Sequence, residues 1–299
     1  MKAPTLYRRM RRAAEAGLMR ALLALLGRMP VDRASDLGGW IGRSIGPGLG
    51  VTRRAARNLR ACFSEKSEAE IAAIITGMWD NLGRTACEYA HLKDFRFYTP
   101  DSRISVHGLA HIDQAVAQGK GAIFVSGHFA NWELLTAGLV QRGLPVMAVY
   151  RAASNPLADE IITELRRDLG MRHQAPKGPA GARMLLNWMN ARNYVAMLSD
   201  QKMNDGVEAI FLGRPALCPP AAAQLARRFG CPVIFASIRR TRGSHFIIEV
   251  EEPFYVPRSG DRAGDIMAGV TGINRRLEAF IRRYPEQWLW LHRRWPERD

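Results

Sequence analysis

The chain has 299 residues, enough to bury a sizeable core, and its 47% hydrophobic and 24% charged residues are typical of a globular protein. Its 43 Lys and Arg residues against 28 Asp and Glu residues give a net charge of +15, which indicates an anionic partner such as lipid headgroups, an acidic carrier protein or nucleic acid. The 4 cysteines are scattered without a CxxC pair, so the sequence predicts neither a zinc site nor a disulfide framework.

Residues 1–30 predict a basic amphipathic helix with seven basic residues and one acidic residue. Its longest uninterrupted apolar run, 21–26, is far shorter than the ~20 residues that crossing a bilayer requires. A helix lying in a membrane surface fits this pattern, and packing of the apolar stripe on the rest of the protein fits it equally well. The stripe consists of Leu18, Leu22, Leu25 and Met29.

Residues 31–107 predict a helical N-terminal region, in which Ser67 caps a long helix. From residue 108 to 299 helical and strand patterns alternate, which predicts an α/β sandwich around a largely parallel sheet. The predicted strands are 122–125, 146–150, 194–198, 233–238 and 246–250. The predicted helices of this region are 111–118, 131–142, 155–169, 180–190, 220–229 and 266–284.

The segment 121–135, GAIFVSGHFANWELL, carries the strongest candidate site. A fully apolar run predicts a buried strand, after which His128 lies on the turn at its carboxyl end, where open α/β sheets bind their ligands. Asn131 suits the N-cap of the following helix, and Glu133 falls in its first turn. The spacing predicts a His–Glu dyad in which Glu133 orients the imidazole while the other ring nitrogen removes a proton from a hydroxyl. Without further signals, a lone His near a strand end is more often a surface or structural residue.

The residues 127–133, GHFANWE, resemble the His-x4-acid motif of the lysophospholipid acyltransferase superfamily. The form GHxxNWE is similar to that of the lipid A late (secondary) acyltransferases, the lauroyl and myristoyl transferase type. The resemblance extends from about residue 108 to 294 and implies a glycerolipid-acyltransferase-like α/β sandwich. The glycerolipid branch itself typically has NHx4D and a later EGTR block, and this sequence contains neither.

The resemblance also implies further catalytic residues. In the family, an Arg four residues before the Gly of the block NPLADEIITELRRDLG is proposed to bind the acceptor phosphate or the oxyanion, and this position is Arg166. Asp200 matches the family's DQ block, and we expect it near His128. Without the resemblance, an exposed helix face is the better interpretation of Arg166. The remaining expected substrate-binding residues are Asn131, Arg151, Lys177, Arg183 and Gln201.

Several rival motifs are absent from the sequence: GxGxxG after a strand, the P-loop, the GxSxG nucleophile elbow and HExxH. We therefore expect no cofactor and no metal. A thioester is already activated, so acyl transfer from it needs only a base, a positioned substrate and an oxyanion stabiliser.

The sequence thus predicts an acyltransferase that moves a fatty acyl chain from a thioester onto a hydroxyl of an anionic glycolipid. The resemblance implies acyl carrier protein as donor, a Kdo-bearing lipid A precursor as acceptor and the cytoplasmic face of the inner membrane as location. One alternative is acylation of another glycolipid, such as a phosphatidylinositol mannoside, from acyl-CoA. A second alternative is a non-catalytic basic protein that binds membranes or nucleic acid, although no aromatic-interleaved basic platform favours nucleic acid.

Overall fold

The structure, a computed structural model, describes residues 6–295. The predicted segments 1–30 and 108–299 also include 1–5 and 296–299, which lie outside the described residues. The strands of the described chain are β1 Ile104–His107, β2 Ala122–Ser126, β3 Val146–Tyr150, β4 His173–Pro176, β5 Tyr194–Leu198, β6 Val207–Phe211, β7 Arg214–Cys218, β8 Val233–Arg242 and β9 His245–Val250. The helices are α1 Leu6–Leu26, α2 Val31–Ile45, α3 Thr52–Cys62, α4 Glu68–Glu88, α5 Leu109–Ala117, α6 Glu133–Gln141, α7 Pro156–Asp168, α8 Pro179–Asn190, α9 Ala221–Phe229 and α10 Arg262–Arg283.

The centre of the fold is a seven-stranded sheet in the order β1-β9-β8-β2-β5-β3-β4. The strands β8, β2, β5, β3 and β4 are parallel to one another, and β9 runs antiparallel to β8. The predicted α/β sandwich with a largely parallel sheet and a helical N-terminal region is therefore confirmed. The five predicted strands are all present, because each is a compact apolar run between turn residues.

The sequence did not predict β1, β4 or the separate hairpin of β6 and β7. β1 and β4 are the two edge strands of the sheet, and only four residues long. Their sequences, ISVH and HQAP, are half polar, because an edge strand is less enclosed than a central one. Short polar segments of this kind carry little periodic signal.

The N-terminal helices pack beside the sheet. The capping box predicted at Ser67 is present, with Glu70 reaching back to the Ser67 backbone. Helix α2 lies against α4 through a glycine face: a Cβ on Gly42 would come within 2.0 Å of the Trp79 carbonyl oxygen. The opposite face of α2 leaves Trp40 60% exposed. Glycine therefore allows α2 to approach α4 closely while its large apolar residues face outward.

Helix α1 rests on the start of α7, where the Asn155 side chain donates to the Arg12 carbonyl oxygen. Among its described residues only Ala16 is buried. Leu18, Leu22 and Leu25 are exposed, so the apolar stripe is not covered by the protein itself. Among residues 6–295 no helix has both the length and the apolarity needed to cross a membrane.

Candidate active site

The candidate site lies at the carboxyl edge of the parallel strands. His128 follows β2, Asp200 and Gln201 follow β5, Arg151 follows β3 and Lys177 follows β4. Because β2, β5, β3 and β4 are adjacent and parallel, their carboxyl ends meet along one edge. The topology therefore brings together five of the residues predicted from separate motifs.

His128 forms a pair with Asp200. The His128 Nδ1 atom lies 2.8 Å from Asp200 Oδ1, and the His128 backbone N–H donates to Asp200 Oδ2 at 2.8 Å. The indole N–H of Trp288 donates to the same Oδ2 at 2.7 Å. Burial raises the pKa of Asp200, but the neighbouring His128 and these hydrogen bonds outweigh it and hold the pKa well below its usual range. Asp200 is therefore an ionised carboxylate, fully buried, that fixes the orientation of the imidazole.

The structure does not pair Glu133 with His128 as the spacing had indicated. Glu133 instead accepts two hydrogen bonds from the Arg166 guanidinium, at 2.7 and 2.8 Å, and one from the Tyr89 hydroxyl at 2.7 Å. A buried carboxylate needs a permanent cation, and the forked guanidinium satisfies both of its oxygens at once. Burial raises the pKa of Glu133, but Arg166 outweighs this and lowers it below its ordinary value. The predicted contact in the dyad is therefore wrong, and Arg166 is largely neutralised rather than free to bind an anion.

Asn131 likewise has a different position from the one predicted. Helix α6 begins at Glu133 without a side-chain cap, so Asn131 is not its N-cap. The Asn131 side chain is fully buried and donates to Glu88 at 2.9 Å. Glu88 also pairs with Arg240 of β8. Asn131 therefore belongs to a buried polar network that joins α4, β8 and the segment before α6.

Two residues of the C-terminal segment, Trp288 and His292, complete the site and were missed by the sequence reasoning. Gln201 Nε2 lies 3.1 Å from His128 Nε2 and 3.0 Å from His292 Nε2. The two imidazole rings are 5.3 Å apart at their centroids. The sequence offers only a weak signal for this placement, because the segment 288–295 has no regular pattern and lies far from the motif around His128.

Arg151 and Lys177 form an exposed cationic edge beside the His–Asp pair. Partial burial of the ammonium group lowers the pKa of Lys177. The negative charge of Asp200 raises this pKa, and the positive charge of Arg151 lowers it. The three side chains are thus within electrostatic range of one another. Arg183 is exposed on α8, and no hydrogen bond or ion pair in residues 6–295 connects it with these residues. The structure therefore places Arg151 and Lys177 beside the His128–Asp200 pair, and substrate binding by Arg183 stays a prediction.

An apolar cavity begins beside His128 and extends between the sheet and α6. Ser126, Tyr150 and Leu198 line it at the carboxyl edge, and Ala236 and Val250, which pair with each other on β8 and β9, line it on the side of those two strands. Trp132 links the cavity with His128. It lines the cavity, and its ring centroid is 5.2 Å from that of the His128 ring. The Glu133–Arg166 pair also lines the cavity. Its remaining lining residues include Phe97, Ile112, Phe124, Leu135, Leu139, Ala148, Met171, Ala196 and Ile248.

A largely parallel sheet with an oriented imidazole at its carboxyl edge, next to a largely apolar cavity, has the features of an enzyme site for a substrate with an apolar part. The chain belongs to the bacterial lipid A biosynthesis acyltransferase family, whose model matches residues 3–297. It is therefore an O-acyltransferase of the lipid A biosynthesis type.

The chain is similar to several characterised proteins. It is 29% identical to the lipid A biosynthesis lauroyltransferase of Escherichia coli K12, over 85% of each chain. It is 27% identical to the palmitoleoyltransferase of the same organism, over 93% of this chain and 89% of that one. A phosphatidylinositol mannoside acyltransferase of Mycobacterium tuberculosis is 26% identical over 64% of this chain and 59% of its own. The crystal structure of the 1-acyl-sn-glycerophosphate acyltransferase from Thermotoga maritima covers 84% of this chain and 97% of its own at 12% identity, with a TM-score of 0.36, too low for a detailed comparison.

Proposed function

We propose that this protein transfers a fatty acyl chain from an acyl thioester to a sugar hydroxyl of a lipid A precursor, with His128 as the general base. The observation that carries the proposal is the contact of His128 with the buried Asp200, next to Trp132, which lines the apolar cavity. The match to the lipid A acyltransferase family supports the identity of the acceptor.

In the proposed reaction His128 Nε2 takes the proton of the acceptor hydroxyl as its oxygen attacks the thioester carbonyl carbon. A carbon–oxygen bond forms, the carbonyl electrons move onto an oxyanion, and the carbon–sulfur bond then breaks. The departing sulfur takes the proton from the imidazolium, which returns the base to its starting state. Asp200 acts through His128 as a positioning residue: it holds the Nδ1–H and stabilises the positive ring that forms.

The Glu133–Arg166 pair has a positioning role in this proposal. Its two charges are bonded to each other and line the cavity where the fatty chain would enter. A compensated ion pair offers the thioester a polar surface without the penalty of an unpaired buried charge. Arg166 also contacts Tyr150: its guanidinium carbon lies 5.7 Å from the centroid of the Tyr150 ring, and both residues line the cavity.

The apolar cavity would hold the acyl chain. It starts at the strand ends beside Trp132 and is lined mainly by aliphatic and aromatic side chains. Burying hydrocarbon there contributes about 0.8 kcal/mol per methylene, so the depth of the cavity would select chain length. Ala148 and Ala196 pair with each other on the neighbouring strands β3 and β5 and both line the cavity with a small side chain.

The cationic edge would bind the anionic parts of the substrates. Arg151 and Lys177 are exposed at the carboxyl edge, close enough to Asp200 for their charges to interact. A phosphate of the acceptor and the phosphopantetheine of an acyl carrier protein both match this charge. The net charge of +15 agrees with an acidic carrier protein and equally with CoA, whose phosphates are anionic. We propose acyl carrier protein as donor, with acyl-CoA as the alternative.

Residues 6–51 would bind the cytoplasmic surface of the inner membrane peripherally. Most of the large exposed hydrophobic residues of the described chain lie there, accompanied by many arginines. An apolar, arginine-rich surface suits an anionic membrane interface, and Trp40 is typical of one. The exposed residues are Leu6, Tyr7, Met10, Leu18, Leu22 and Leu25 on α1, and Leu37, Trp40, Ile41, Ile45, Leu49 and Val51 on or after α2.

The test is transfer by the purified protein of labelled acyl chains from acyl carrier protein or CoA to a Kdo-bearing lipid A precursor, with a phosphatidylinositol mannoside as the competing acceptor. We expect transfer to the lipid A precursor that is lost in His128→Ala while binding to anionic vesicles is retained. Equal transfer by His128→Ala would refute the assignment of the base. Transfer only to the mannoside would refute the acceptor. Mass spectrometry of lipid A from cells without the protein should then show one missing secondary acyl chain.

A further inference from the structure

The Gln201 carboxamide lies between two imidazoles at the candidate site. Its nitrogen is 3.1 Å from His128 Nε2 and 3.0 Å from His292 Nε2. An amide nitrogen has two hydrogen atoms and no free lone pair, so it can only donate to both rings. Each ring nitrogen that faces Gln201 must therefore carry a lone pair.

The contacts of His128 agree with this arrangement. Asp200 is an ionised carboxylate that takes the hydrogen on Nδ1, which leaves Nε2 of the neutral ring as an acceptor. The hydroxyl to be activated must come within about 2.6–3.2 Å of this same nitrogen. It would therefore replace Gln201 as the partner of Nε2, and the released amide N–H would lie close to the reacting oxygens.

His292 has a different environment, which keeps it uncharged. Burial and, after it, the nearby charges of His128, Lys177 and Arg151 lower the pKa of His292 to about 4, although the negative charge of Asp200 acts in the opposite direction. A neutral ring can present a lone pair at Nε2 throughout the physiological range.

The C-terminal segment holds His292 firmly. Trp288 and Trp290 are each 1% exposed, and their ring centroids are 4.6 Å apart. Asn58 of α3 donates to the backbone carbonyl oxygens of Trp290 and His292, both at 3.3 Å. The position of the His292 ring is therefore set by buried anchors on either side of it.

We propose that the Gln201 amide supplies an N–H to the negative charge that develops in the transition state, and that His292 is the positioning residue that keeps the amino end of this amide turned towards His128. This inference rests on the proposed acyl transfer. A carboxamide can present either its nitrogen or its oxygen, and only the nitrogen can stabilise an oxyanion. Asp200 holds the Nδ1 hydrogen of His128 and so leaves a lone pair at His128 Nε2, which selects the amide nitrogen of Gln201, and His292 Nε2 accepts the second N–H of that nitrogen.

A double-mutant cycle in the acyl-transfer assay tests the inference. Gln201→Ala removes the donor and should lower kcat by about 10²-fold with little change in KM. His292→Ala should lower kcat by about tenfold in the wild-type chain and not at all in the Gln201→Ala chain, because His292 acts through Gln201. His292→Gln, whose amide oxygen can accept from Gln201, should restore most of the rate. His107→Ala, an exposed residue on β1, is the matched control and should leave the rate unchanged.

The outcomes separate the possible failures. If the wild-type protein transfers no acyl group from either donor, the proposed function fails. If it does, but Gln201→Ala keeps its kcat, or His292→Ala costs the same factor in both backgrounds, the inference is overturned. Thermal unfolding of each variant distinguishes a structural defect, since the inference requires the loss of kcat per folded molecule and a purely structural role would lower only the folded fraction.

Discussion

The substitution Asp200→Asn tests whether His128 depends on Asp200, its partner in the structure, or on Glu133, the partner that the sequence predicted. Asp200 accepts three hydrogen bonds with its two oxygens, and an asparagine keeps only one of these oxygens. If the remaining oxygen keeps its hydrogen bonds from the Trp288 indole and the His128 backbone N–H, the new NH2 group faces His128 Nδ1. Since the NH2 group donates, Nδ1 must then accept, and the ring proton moves to Nε2. With a proton already on Nε2, the neutral ring can no longer accept one from the hydroxyl. We expect kcat to fall by about 10³- to 10⁴-fold, equivalent to ~4–5 kcal/mol of transition-state stabilisation.

The matched variant is Glu133→Gln, which leaves His128 and Asp200 untouched. It removes the anion from a buried pair with Arg166, so we expect a loss of about 3 kcal/mol in the free energy of unfolding. The kcat of the folded fraction should fall less than about tenfold, because Glu133 does not hold the base. Acyl-transfer rates corrected for folded protein by urea unfolding provide the comparison. The reasoning is refuted if Glu133→Gln loses as much kcat as we expect for Asp200→Asn while Asp200→Asn stays near the wild-type rate.

Three further results are expected. Ala148→Phe fills the centre of the cavity and should shift the preferred donor towards shorter acyl chains, as measured with a mixture of thioesters; an unchanged preference would place the chain elsewhere. Leu22→Glu or Ile45→Glu should weaken binding to anionic vesicles by at least about tenfold in a sedimentation assay, whereas equal binding would exclude this surface. Because the pKa of His292 in the folded state, about 4, is below its ordinary value of 6.5, the unfolded state binds an extra proton between these values. The free energy of unfolding should thus decline by up to about 3 kcal/mol as the pH falls from about 6.5 to about 4, and this loss should be absent from His292→Gln when urea unfolding is followed across that window.

The sequence was most informative where local patterns decide the structure. The five predicted strands are apolar runs, and their burial in a parallel sheet follows from composition. The parallel arrangement then brought His128 near Asp200, as predicted, because both residues follow central strands. Ser67 and the pair Asn155-Pro156 also cap their helices as predicted, since these signals act within a few residues.

The partners of the charged side chains could not be read from spacing. Glu133 is five residues from His128, but its partner Arg166 is 33 residues away on another helix. Ala130 has a positive φ of 41°, so the chain between His128 and Glu133 does not follow helical geometry. Once the fold placed a guanidinium beside the buried carboxylate, that ion pair was favoured over a contact with a neutral ring. Trp288 and His292 were missed for a related reason: an irregular segment reaches the site only through tertiary packing.

The hydrogen bond from the Trp288 indole to Asp200 links the His128–Asp200 pair to the C-terminal segment, which is synthesised last. The strands of the sheet and His128 itself all lie within residues 104–250, yet Asp200 acquires its third hydrogen bond only when the segment that contains Trp288 docks. The backbone N–H of Ala130, two residues after His128, likewise donates to the Gln287 carbonyl oxygen and so gains its partner only from this segment. A growing chain that has folded its sheet therefore still lacks contacts of the His128–Asp200 pair, and under the proposed mechanism the base would be fully oriented only after the final segment has docked.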